Sequence, residues 1–303
     1  MRRLVTLFLP LLVLFYNSST APSDAWQGLT HKKMASDAYF IMPAAFRQFL
    51  GETLSPKRSE PNLLALLQGA IEPDTVLKDF HNHVYHIQGY DLGNGPFHVA
   101  SLSLEVTEDI KNKAPISQIV QKLGWLAHYA ADLTQPLHTG VSLDNIVEST
   151  YHSDFENDVT KSMYSYSVSY DGAKVHERMS AFMIYEALWA NQYYSAIETA
   201  YTKGQRYTDV QRISATCYSR AVNNIIGVWY TIWANAGGKI DPVNDAKPRF
   251  FPASQSSKDP ASGLSKMPRA IRSVINGKPP AGGEADVSTA LPRVISEDSA
   301  EGH

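Results

Sequence analysis

The chain is 303 residues long, 44% hydrophobic and 11% aromatic, which is ample for a packed core and excludes a wholly disordered protein. Its 27 Lys+Arg against 30 Asp+Glu leave a formal charge of −3, so bulk charge does not point to duplex DNA. One cysteine, Cys217, excludes an intramolecular disulfide and a cysteine-rich zinc module; any metal must be held by His, Asp and Glu.

Residues 1–25 read as a signal peptide. Arg2 and Arg3 form the charged start, residues 4–15 the apolar run, and Ser23-Asp24-Ala25 supplies small residues for cleavage. The mature chain would begin at Trp26 and be secreted or periplasmic. An uncleaved anchor is the alternative, although a run of about 12 residues falls short of the roughly 20 that span a bilayer.

From Trp26 to about Gly238 apolar residues recur at three and four positions, which predicts an all-α, multi-helix single domain. Helices are expected over 32–50, 62–69 and 116–133, from near Tyr151, and over 173–203 and 208–236, with Gly51, Pro136, Gly204 and Gly237-Gly238 as stops. The stripe Ile119, Val120, Leu123, Leu126 and Leu133 is core. Residues 239–303 are rich in Pro, Ser and Gly and read as a flexible, disordered tail in which only 267–276 could be helical.

The histidines carry the chemistry. His128 and Asp132, four apart, leave one face of the third helix, and His138 follows beyond the helix-breaking Pro136. His152 and Glu156 repeat the spacing 14 residues later. Upstream, Asp74 follows Pro73 at the end of an apolar helix, and His81, His83 and His86 offer at least one further ligand. Singly, each pair has an ordinary explanation as a solvated helix face or polar turn; two such pairs with a histidine between them are much harder to obtain by chance.

Together, Trp26, His31, Pro73-Asp74, His83, His128-x3-Asp132-x5-His138 and His152-x3-Glu156 resemble the ligand series of the zinc-dependent phospholipase C and single-strand nuclease superfamily. The motif-level match runs from Trp26 to about residue 158, and the helical remainder fits that family's all-α fold. The resemblance implies three zinc ions in a cleft. Asp74, His83, His128 and Asp132 would hold the first; His138, His152 and Glu156 the second; and the amino group and carbonyl of Trp26, with His31 and a bridging Asp132, the third. That amine is free only once the signal peptide is removed, which couples activation to export. His86 is the competitor of His83; His98, His176 and His303 match nothing in the pattern.

Three close dications suit phosphate-ester hydrolysis, with Asp74 as the catalytic group that orients or deprotonates the attacking water. Phospholipase C is the preferred reading, on the short interval from His138 to His152, on Glu156, and on the string Tyr151-His-Ser-Asp-Phe-Glu-Asn157. Its substrate would be a phospholipid or another phosphodiester, met in transient contact with a membrane surface, and no protein partner is implied. A zinc nuclease acting on single-stranded nucleic acid is the alternative, favoured by the five-residue step from Trp26 to His31 and by Gln135-Pro-Leu-His138. A secreted zinc-binding protein without turnover is the third reading, opposed by the spare carboxylate of Asp74.

Overall fold

The structure, a computed structural model, describes residues 26–51, 61–87, 91–140 and 150–253. The expected signal peptide, His303 and the helix expected over 267–276 lie outside the described residues. What is described is all-α apart from one short ribbon. Helices α1 (Gly28–Ile41), α2 (Ala44–Phe49), α3 (Pro61–Gly69), α4 (Gly95–Lys111) and α5 (Ile116–Asp132) come first. They are followed by α6 (His152–Ser162), α7 (Met179–Asn191), α8 (Tyr194–Thr202), the 29-residue α9 (Tyr207–Asn235) and the short α10 (Pro242–Asp245).

Helix α5 is the axis of the molecule. Its apolar stripe is buried as its 3.6-residue period requires, and α1, α3, α4 and α9 all pack against it. Two indoles pin it: Trp229 donates to Leu123 O and Trp26 to Ala131 O, both at 3.0 Å. The approach of α3 to α5 depends on glycine. A Cβ at Gly69 would stand 2.6 Å from Gln121 O, and one at Gly124 would collide with Leu66 O.

Several elements differ from expectation. The helix expected over 32–50 is two, because Pro43 has no N–H to donate and drives Met42 into an extended conformation (ψ 151°). The helix expected over 173–203 begins only at Met179 and breaks at Gln192-Tyr193. Helix α4 was not anticipated, although Gly95-Pro96 after Asn94 is an N-terminal signal. The packed body also runs past the expected boundary at Gly238. Strand β2 (Arg249–Phe251) pairs antiparallel with β1 (Val168–Tyr170), Tyr230 donates to Asp245, and Arg249 donates to Ile41 O. Residues 239–253 therefore belong with the helices: pairing with β1, the Ala173 N–H on Asp245 O and the Trp233 Nε1–H on Lys239 O satisfy backbone that composition alone assigned to a tail.

Candidate metal centre

Four segments bring the predicted ligands to the C-terminal end of α5. The chain leaves α3 into a π-helical turn, Pro73–Leu77, closed by Lys78 in a left-handed conformation (φ 53°). This turn buries Asp74 while exposing Val76 and Leu77. A 3-10 turn, Phe80–Asn82, then delivers His83. The strand-like stretch after it bonds to the turn that follows α5, Tyr85 N to His138 O at 3.0 Å, which sets His83 beside His138. That second turn, Pro136–Thr139, is capped by the Gln135 side chain. Helix α1 supplies His31, and α6 supplies His152 and Glu156.

Asp132 is the hub. Its Oδ1 lies 3.2 Å from His31 Nε2, whereas its Oδ2 lies 3.0 Å from His83 Nδ1 and 3.1 Å from His128 Nε2. Asp74 Oδ1 stands 3.4 Å from both His83 Nδ1 and His128 Nε2, and the His31 and His128 rings stack at 3.9 Å. In the second group, Glu156 Oε1 lies 2.9 Å from His152 Nε2 and 3.9 Å from His138 Nε2. Three sets can each present ligand atoms within 4.8 Å of one another: His31, Asp74 and His128; His83, His128 and Asp132; and His138, His152 and Glu156. All eight side chains are buried. Trp26 is also buried, tied to Ala131 O one residue before Asp132, and adds no side-chain ligand.

The histidines are oriented from behind. His128 Nδ1 meets Ala70 O at 2.9 Å and His138 Nδ1 meets His83 O at 3.1 Å, so each turns Nε2 inward. Asp79 Oδ1 meets His83 Nε2 at 3.2 Å, so His83 turns Nδ1 inward. Gln135, given no role from sequence, donates to Glu156 Oε1 at 3.1 Å. Asp79 is a second such residue, and the only signal for either in the sequence is nearness to a candidate ligand. His86 is buried but in none of the three groups, His98 packs on Tyr129, and His81 is exposed near Asp91.

Electrostatics divides the groups. Burial would raise the Asp132 carboxyl, yet the charges of His128 and His31 outweigh it and hold the group well below the usual range. Burial likewise opposes charge on His128, but Asp132 and Asp74 keep its pKa well above the ordinary value. Asp79 is lowered as well, burial being overcome by hydrogen bonds from His83, Asn82 and Tyr129. In the second group burial prevails: it pushes His138 down to about 3 and Glu156 up to about 7. A separate cavity of about 270 Å³, lined by residues that include His176, Glu186 and Arg220, contains none of the predicted ligands. Its Arg220 is paired through two nitrogens with Glu186.

A family model described as zinc dependent phospholipase C matches residues 30–222, well over half of the chain. Among solved structures, the alpha-toxin of Clostridium perfringens from an avian strain is similar with a TM-score of 0.51 at 14% identity. The match covers 72% of this chain and 66% of the toxin, a likeness that concerns the fold. The alpha toxin from Clostridium absonum aligns with a TM-score of 0.49 at 18% identity, over 70% of this chain and 66% of that one. The chain thus spans just under two thirds of the toxins it matches. No curated protein shows a significant match.

Proposed function

The chain belongs to the zinc-dependent phospholipase C family, and from that premise we propose that it hydrolyses the headgroup phosphodiester of phospholipids as an exported enzyme holding three zinc ions. The carrying observation is the reach of Asp132, one oxygen toward His31 and the other toward His83 and His128. A buried carboxylate so divided fits a bridge between two cations. The donor set suits zinc, being nitrogen and carboxylate oxygen throughout. Both ring nitrogens of His31, Asp74 Oδ1 and Asp132 Oδ1 are buried without a hydrogen bond, a costly state that cations would relieve.

In this reading Asp74, His83, His128 and Asp132 would hold one ion, and His138, His152 and Glu156 a second. His31, Asp132 and the backbone amine and carbonyl of Trp26 would hold the third. When bound, the ions neutralise phosphoryl oxygens and lower the pKa of water. The protein contributes the rest. Asp74, beside both His83 and His128, would orient or deprotonate the attacking water. Gln135 and Asp79 keep Glu156 and His83 aimed inward. Burial of the cluster excludes bulk water and strengthens each of these interactions.

Exposed apolar side chains close to Asp74 in the chain support a lipid substrate: Val76, 66% exposed, and Leu77 follow it on the same turn. The test is to assay the purified protein on phosphatidylcholine vesicles and on single-stranded oligonucleotide, with and without chelator, beside Asp132→Ala. Chelator-sensitive release of phosphocholine, lost with zinc in the variant by a factor of ~10² or more, is expected. Oligonucleotide cleavage without lipid turnover would replace this reading by a nuclease, and bound zinc without any ester hydrolysis would replace it by a binding protein.

A further inference from the structure

His83 is held differently from its neighbours. His128 and His138 direct Nε2 inward and rest Nδ1 on backbone carbonyls. His83 is reversed: Nδ1 faces Asp132 Oδ2 at 3.0 Å and His128 Nε2 at 3.1 Å, while Nε2 meets a carboxylate, Asp79 Oδ1, at 3.2 Å. The other oxygen of that carboxylate accepts from Tyr129 Oη at 2.8 Å and from Asn82 Nδ2 at 2.7 Å. Asp79 is thus fixed from three sides. One partner, Tyr129, lies on α5 directly after His128, and its ring meets the His83 ring edge-on at 5.2 Å.

We infer that Asp79 is a positioning residue for zinc: it selects the His83 tautomer that presents the Nδ1 lone pair to the ion and raises the basicity of the ring. This rests on the zinc reading of the cluster. The physical reason is tautomeric. A neutral imidazole carries one N–H, and whichever nitrogen donates leaves the other as the ligand. With Asp79 accepting at Nε2, the ring has a single orientation available, and the nearby negative charge strengthens the metal bond. A carbonyl would fix the tautomer as well; a carboxylate adds the charge. Asn82 and Tyr129 keep that carboxylate from rotating away, so the helix that carries His128 and Asp132 also sets the angle of His83.

The experiment measures zinc affinity of the whole protein by competition with a chromogenic chelator, and the visible spectrum of its cobalt-substituted form. Asp79→Ala should weaken the tightest zinc step by ~10–100-fold and shift the cobalt bands. Asp79→Asn, which keeps an acceptor without the charge, should recover part of the loss. Tyr129→Phe, which frees the carboxylate without removing it, should fall between wild type and Asp79→Ala, and keeps the test available if Asp79→Ala does not fold. A purely structural role would lower the unfolding temperature and leave affinity and spectrum unmoved, which would overturn the inference. Wild-type protein that binds no zinc would instead overturn the reading beneath it.

Discussion

Two buried carboxylates of the cluster have pKa values shifted in opposite directions, and the sign of the pH dependence follows. Asp132 is held ionised by His128 and His31 despite its burial; being depressed, it stabilises the folded chain above its ordinary pKa of 3.8 and loses that effect as pH falls through its folded value. Glu156, raised by burial to about 7 from 4.5, stabilises the metal-free fold below pH 4.5, and the effect fades as pH rises through about 7. Zinc reverses the demand on Glu156 and on His128, since both must give up protons to bind it. Zinc affinity should therefore climb as pH rises toward about 7, the range in which Glu156 gives up its proton, with fewer protons released per ion above that pH than below it. Calorimetry in buffers of different ionisation enthalpy measures this. Affinity that stays flat across the range would contradict the assignment of these residues as ligands.

Among the elements, the α3–α5 contact decides whether His128 is aimed. Helix α3 can approach only because Gly69 and Gly124 carry no Cβ, and the approach brings Ala70 O to His128 Nδ1 at 2.9 Å. Gly124→Ala would press a methyl group on Leu66 O and come within 2.8 Å of Ala70 N. The three nearest atoms are all backbone, from Leu66, Gly69 and Ala70, so no flexible neighbour can yield. The substitution should cost about 1–3 kcal/mol through overpacking, and should weaken zinc binding because Ala70 O retreats from His128. Thermal unfolding and chelator competition on the same variant would show both effects. Unchanged stability together with unchanged affinity would mean that α3 is not the support for His128. The gain in intrinsic helix propensity from Gly to Ala is about 1 kcal/mol and works against the loss, so the net sign reports which contribution dominates.

For the whole molecule, the proposed third ion would depend on where the mature chain starts. Trp26 is buried and bonded to Ala131 O, at the helix end where Asp132 and His31 meet. A free amine at that position would complete the third site, so protein beginning at Trp26 should bind three zinc ions and a version retaining residues ahead of it only two, counted by native mass spectrometry. Three ions in both forms would remove Trp26 from the ligand set. The sequence by itself determined which residue types could take part: with one cysteine, a metal had to fall to His, Asp and Glu, and the four-residue steps His128–Asp132 and His152–Glu156 put each pair on one helical face. Local period also fixed most helices, because burying one stripe is a short-range pattern. Only the tertiary structure decided what depends on contacts distant in sequence. It showed that Asp132 points one oxygen toward His31 and the other toward His83, that His83 and not His86 enters the cluster, and that Asp79 and Gln135 bond to His83 and Glu156 from behind. It also showed that residues 239–253 fold back onto β1. Such contacts join segments up to about a hundred residues apart, and no periodicity along the chain encodes the angle at which two helices meet.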